Sequence, residues 1–165
     1  MTELTELHKT VVTTPSDTEI RTERIFDAPP GLVFECFTDP ETLEQWLGPE
    51  GYEMRIEEYD FRAGGKWRYV HLSPDGNEYV FFGEFLEIDA PRSVKQTFNF
   101  VMEPQPPPSI DQAEFIEVEG GRTRLVTLTT FEGKEQRDGM LQSGMEKGMN
   151  EGYAKLDRIL EKKRG

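Results

Sequence analysis

With 165 residues, the chain has the length of one domain and enough residues to bury a substantial core. Its formal net charge of -13, relieved only by the closing run Lys162, Lys163 and Arg164, argues against nucleic acid or an anionic membrane surface as partner. A single cysteine, Cys36, rules out an intramolecular disulfide and a cysteine-based zinc site.

In chain order, residues 1–17 are polar and threonine-rich, and read as an N-terminal extension, either a tail or a short added strand around Val11 and Val12. Their opening lacks the charged-then-apolar form of a signal peptide, and no apolar run reaches spanning length, so the expectation is a soluble, cytoplasmic protein. One domain is expected over 18–165. It begins with TEIRTERIF, whose alternation sets Ile20, Thr22, Arg24 and Phe26 on one face of a strand. Pro30 then opens a short helix with Val33, Phe34 and Phe37 inward and Cys36 as a small buried hydrophobe. Asp39 caps a second short helix, with Pro40 at its first position and Leu43, Trp46 and Leu47 on one side.

From Tyr52 to Phe131 the pattern is of strands separated by turn residues: Gly64-Gly65, Pro74 to Asn77, Asp89 to Arg92, the proline-rich loop Glu103 to Ser109, and Gly120-Gly121. Closing these turns sets His71 opposite Tyr79, Tyr69 opposite Phe81, Trp67 opposite Gly83, Phe81 opposite Phe100 and Phe85 opposite Gln96. One face then collects Trp67, Tyr69, His71, Tyr79, Phe81, Phe85, Phe98 and Phe100. Gly83 lets an aromatic ring lie over bare backbone. Phe115, Val126 and Leu128 are added to the interior from the last hairpin. The opposite face carries Val70, Val80, Phe82 and Leu86, which could form a dimer patch or be covered by the N-terminal segment.

The chain closes on one long amphipathic helix over Lys134 to Lys163. Leu141, Met145, Met149, Gly152, Tyr153, Leu156, Ile159 and Leu160 fall within an arc of about 120°. Glycines at 144, 148 and 152 interrupt its upper half, each costing about 1 kcal/mol against alanine. Either a neighbouring segment packs too close for a side chain, or this stretch borders an adaptable space that flexible methionines suit.

The order of elements, with DAPPGLVFECFTDPETLEQWLGP, FRAGGKWRYV, PDGNEYVFFGEFLEIDAPRSV and GMLQSGMEKGMNEGYAKLDRIL, resembles the activator of heat-shock-protein-90 ATPase homologue family of the START-like (SRPBCC) superfamily. The resemblance spans roughly Glu19 to Leu160. It implies an α+β helix-grip fold: a curved antiparallel sheet of about six to seven strands around the long C-terminal helix, two short helices after the first strand, and a hydrophobic cavity between sheet and helix. It also implies that Trp46 reaches the cavity. The expected lining is then Trp46, Trp67, Tyr69, His71, Tyr79, Phe81, Phe98, Phe115, Leu141, Met145 and Met149.

No nucleophile elbow, phosphate-cradling glycine loop or calcium-loop spacing occurs, and His8 and His71 are too few for a histidine metal site. No metal and no cofactor are expected. His71 either orients a ligand, or acts as a general base, or meets water at the mouth of the sheet. Glu58 and Asp60 point inward or lie in solvent according to the tightness of the Gly64-Gly65 turn. The preferred expectation is a non-catalytic module binding a small hydrophobic ligand of lipid, polyketide or aromatic type. The alternatives are a chaperone-regulator-like domain whose surface meets a chaperone or other protein, and an enzyme acting on a hydrophobic substrate. Monomer and homodimer are both open.

Overall fold

The computed structural model describes residues 8–164, with the side chain of Arg164 not described; the first seven residues of the extension lie outside it. Eight strands form one antiparallel sheet: β1 (Val11–Thr13), β2 (Glu19–Phe26), β3 (Glu53–Tyr59), β4 (Lys66–Leu72), β5 (Glu78–Asp89), β6 (Ser93–Phe100), β7 (Ser109–Val118) and β8 (Arg122–Thr130), in the order β1-β2-β8-β7-β6-β5-β4-β3. Helices α1 (Pro30–Thr38) and α2 (Pro40–Trp46) follow β2, and α3 (Lys134–Gln142) and α4 (Met145–Arg164) end the chain. The curved sheet and C-terminal helix are those of a helix-grip fold, with a strand count slightly above expectation.

Short-range chemistry sets the elements where the sequence places them. Asp39 accepts from the Thr42 backbone N–H at 3.2 Å and from its hydroxyl at 2.7 Å, which caps α2 behind Pro40. Strand β2 alternates without a break, with Ile20, Thr22, Arg24 and Phe26 buried. The β4–β5 register is the one drawn from the turn, with His71 opposite Tyr79 and Tyr69 opposite Phe81; the β5–β6 pair has Phe81 opposite Phe100 and Phe85 opposite Gln96 as expected, but shifts by one residue at a bulge between Phe85 and Glu87. The Trp67 ring lies over Gly83, where a Cβ would approach it to 2.6 Å. Strand β1 does add to the sheet, but it pairs with β2 at the edge opposite β3 and β4. It therefore leaves Val70, Val80, Phe82 and Leu86 uncovered. Val70 is nonetheless buried, between its cross-strand neighbours Arg55 and Val80.

Two expectations are corrected, and one pair of alternatives is decided. The C-terminal helix is not continuous: Gly144 takes φ +86° and ends α3 before α4 begins. Gly152 does not border open space either, because a Cβ there would stand 3.0 Å from the Trp46 carbonyl oxygen and 3.5 Å from the Gly48 backbone. The segment after α2 crosses α4 at this point, and close packing accounts for that glycine; Gly148, 3.4 Å from Pro49 by the same measure, faces the same segment. In β8, Val126 and Leu128 turn outward, opposite Glu114 and Gln112, while Thr123, Leu125, Thr127 and Thr129 face in.

The core is filled at one end. Phe26, Phe34, Trp46, Phe115, Leu125, Tyr153, Leu156 and Leu160 are buried there together. Their rings meet edge to face, Phe37 with Trp46 at 4.6 Å and Phe34 with Phe115 at 5.2 Å between centroids. Arg24 joins this core to α4 through a two-pronged pair with Asp157, at 2.7 and 2.6 Å, its guanidinium 4.6 Å from the Phe26 ring centroid.

Candidate functional site: the open end of the interior

Pleating carries the inner face of the sheet past the filled core. On β7 the parity that buries Phe115 also turns Ala113, Asp111 and Ser109 inward. On β6 it turns Val94, Gln96, Phe98 and Phe100 inward, and on β8 it continues from Leu125 to Thr127 and Thr129. Trp67, Tyr69 and His71 of β4 and Phe81 of β5 complete this end. With the exceptions of Trp67, Val94 and Ser109, these residues beyond the filled core are only half-buried, although they stand on the face that α4 covers.

One wall is aromatic. Trp67 stacks on Tyr69 with centroids 5.1 Å apart, Tyr69 on His71 at 5.2 Å, and Phe81 lies 5.5 Å from both Tyr69 and Phe98. Two ring nitrogens in this wall, Trp67 Nε1 and His71 Nε2, are buried without a hydrogen-bond partner among the described residues. His71 is half-buried: its Nε2 is shut off from water, while the residue as a whole keeps accessible surface. Gly48 lies over its ring, 3.0 Å from the ring carbon by the Cβ measure, and burial, with the charge of Lys155 second, lowers its pKa from 6.5 to about 4. The imidazole is neutral at pH 7.

The other wall is polar, and its centre is Asp111. Cross-strand pairing aligns Ile20, Thr129, Asp111 and Gln96 in one row. Thr129 donates its hydroxyl to Asp111 Oδ1 at 2.8 Å, and below them Thr22 and Thr127 join hydroxyl to hydroxyl. Burial raises the Asp111 carboxyl from 3.8 to about 6, against the opposing effect of the Thr129 bond. Its negative charge adds to burial in raising the phenol of Tyr69, across the interior; burial lifts that of Tyr153, on α4, to about 12, with Arg24 opposing the rise and Asp111 adding to it. The sequence reading passed over Asp111, although Phe115 in the same strand carried the parity that locates it.

The expected lining residues divide between the two ends. Trp67, Tyr69, His71, Phe81 and Phe98 come together at the open end, and Met149 packs against the core beside them. Trp46 and Phe115 belong to the filled core, where the Trp46 indole donates to the Cys36 carbonyl at 2.9 Å. Tyr79 lies at the rim, stacked on Phe100, while Leu141 and Met145 flank the α3–α4 break half-buried. Glu58 is exposed because a bulge between Ile56 and Glu58 turns it outward, and Asp60 is engaged with Arg62 at 2.8 Å. Burial lifts the Cys36 thiol to about 11, which leaves it inert. No group of metal-ligating side chains occurs among the described residues, and no helix there is long and apolar enough to cross a membrane.

Two clefts on the outer side of α4, of about 520 Å³ (Glu146, Lys147, Asn150, Glu151, Ala154) and about 300 Å³ (Gln45, Lys155, Arg158, Ile159, Lys162), contain no aromatic side chain. Both are open clefts lined mainly by charged and polar residues, and the inner face, with its aromatic side chains, is the stronger candidate.

Solved structures similar to the chain include a Rhodobacter sphaeroides protein (TM-score 0.83, 25% identity, covering 92% of this chain and 97% of that one). A Mycobacterium smegmatis protein matches with TM-score 0.82 at 26% identity, over 92% of this chain and 97% of that one. An Arthrobacter aurescens protein gives TM-score 0.82 at 29% identity, over 92% and 91%. A comparison with curated proteins finds no match. Residues 27–161 match the family described as activator of Hsp90 ATPase homolog 1-like protein, and the chain belongs to that family.

Proposed function

We infer that the protein is a binding module that takes a small, largely apolar molecule between the sheet and α4, at the open end of the interior, without transforming it. The observation that carries this reading is the contrast in filling. Inward-facing Tyr69, Phe81, Phe98 and Gln96 keep accessible surface, whereas Phe26, Phe115, Leu125 and Leu156, on the same face or the same helix, keep almost none. Apolar walls that stay accessible are stabilised when a ligand removes them from water, by about 25 cal/mol per Å². The partnerless Trp67 Nε1 and His71 Nε2 add a donor and, in the neutral ring, a second polar atom facing apolar surroundings. The sole thiol, free and buried, fits a cytoplasmic setting.

Native mass spectrometry of protein purified gently from its own host tests this directly. A stoichiometric apolar molecule that leaves on denaturation is the expected result. A clean apo mass, together with an empty hydrophobic-ligand screen, would overturn it. The role would then pass to the surface, where the exposed Val101, Met102 and Ile110 offer apolar contact to a protein partner such as a chaperone.

A further inference from the structure

Asp111 raises a question that an apolar container alone does not answer. A carboxylate has room for about four hydrogen bonds, and this one receives a single side-chain bond, from Thr129. Asp111 is half-buried, and a carboxylate drawn partly out of water gains from a paired counter-charge. Yet no lysine, arginine or histidine forms an ion pair with Asp111 among the described residues. The buried guanidinium of Arg24, on β2 beyond β8, is committed through both its terminal nitrogens to Asp157. The charge of Lys155, on α4, acts on His71, on β4, and the causes of the Asp111 shift include no cationic side chain. The groups that do face it are neutral: Thr129 from β8, Gln96 from β6, Tyr69 from β4 and Tyr153 from α4. The rings of Tyr69, Phe81 and Phe98 line the same interior, and the face of such a ring attracts a cation through its quadrupole.

We propose that the ligand is a lipophilic amine, whose ammonium pairs with Asp111 beside Thr129 while its apolar body lies against the aromatic wall of β4, β5 and β6. This deepens the reading of the interior as a ligand site and rests on it. A neutral hydroxyl could fill one acceptor position, but only a cation also balances the charge. The net charge of -13 favours the approach of such a cation over that of an anion or a fatty acid.

The test uses two matched probe pairs, 2-naphthylmethylamine with 2-naphthylmethanol and decylamine with decanol, titrated calorimetrically into the full chain at pH 7.5. Each amine is expected to bind about tenfold or more tighter than its alcohol, the order that separates charge-assisted from neutral hydrogen bonds. In Asp111→Asn, checked for folding by circular dichroism, that ratio falls to about one. Lowering the pH from 7.5 to 5 in the unaltered protein diminishes the ratio without any substitution, as Asp111 takes up a proton. An amine preference that survives in Asp111→Asn would trace to the overall negative charge and overturn the assignment. Equal binding of amine and alcohol in the unaltered protein would overturn it too, leaving the apolar container intact. Binding of neither pair would remove the container reading and this inference together.

Discussion

The two ends of the interior are built from the same strands by the same alternation, and they differ in what stands over them. At the closed end α1, α2 and the C-terminal half of α4 bring in Phe34, Phe37, Trp46, Leu156 and Leu160, and every large ring touches another. At the open end, some 13 Å further along each strand at about 3.3 Å per residue, the sheet supplies aromatic and polar side chains while α4 contributes little beyond Met149 and Tyr153. Residues that close the core are therefore expected to set stability, and those left half-covered to set binding.

The sharpest way to break this comparison is to truncate one ring at each end. Phe115→Ala is expected to cost about 3–5 kcal/mol in urea unfolding, as for any large buried ring, and Phe81→Ala about 1–2. Equal losses would mean that the open end is filled core. Next in size is the pair that ties β2 to α4: Asp157→Ala leaves Arg24 buried without its counter-charge and is expected to cost about 3 kcal/mol.

The two walls of the open end respond to pH in opposite senses. Asp111 titrates at about 6 in the folded chain against an ordinary 3.8, so between those values the folded state holds a proton that the unfolded chain has released. Its contribution to stability rises as pH falls through about 6. His71 titrates at about 4 against 6.5, so there the unfolded chain holds the extra proton, and its contribution falls as pH drops through the same window. Asp111→Asn is expected to gain roughly 1–3 kcal/mol at pH 8 and to lose that gain by pH 4; His71→Phe is expected to be less acid-sensitive than the parent. Thermal melts at pH 4, 6 and 8 check both.

The smallest effects concern the helix glycines. A Cβ at Gly139 meets nothing within 4 Å, so Gly139→Ala is expected to stabilise by about 0.5–1 kcal/mol, whereas Gly152→Ala must push aside the Trp46 carbonyl and is expected to destabilise by about 1 kcal/mol. Thermal denaturation of the two variants reads the difference. Reversed signs would contradict the packing of the segment after α2 against α4.

The sequence shows much of this architecture because turn chemistry is local. Pro74 to Asn77 sets a register that holds through β4 and β5; the β5–β6 pair shifts by one residue at a bulge between Phe85 and Glu87, and beyond it the pairing is the one that locates the aromatic wall. The polar wall escaped notice for a physical reason. In β8 the apolar Val126 and Leu128 attract an inward assignment, whereas strict alternation from Leu125 turns Thr127 and Thr129 in. Threonines and an aspartate on an inner face contradict the rule that cores are apolar, and that contradiction is itself the mark of a site. The break at Gly144 was hidden similarly, since a helical apolar stripe runs unchanged across a single residue in the left-handed region.

The most direct test of the central claim is to titrate isotopically labelled protein with 2-naphthylmethanol and follow backbone amide and tryptophan indole resonances. Shifts are expected at the Trp67 indole, at Tyr69, His71, Phe81 and Phe98, and at Asp111 across the sheet, with the closed end around Phe115 and Leu156 unmoved. Shifts confined to the outer side of α4 around Glu146 to Ala154, or none at saturating probe, would contradict that claim.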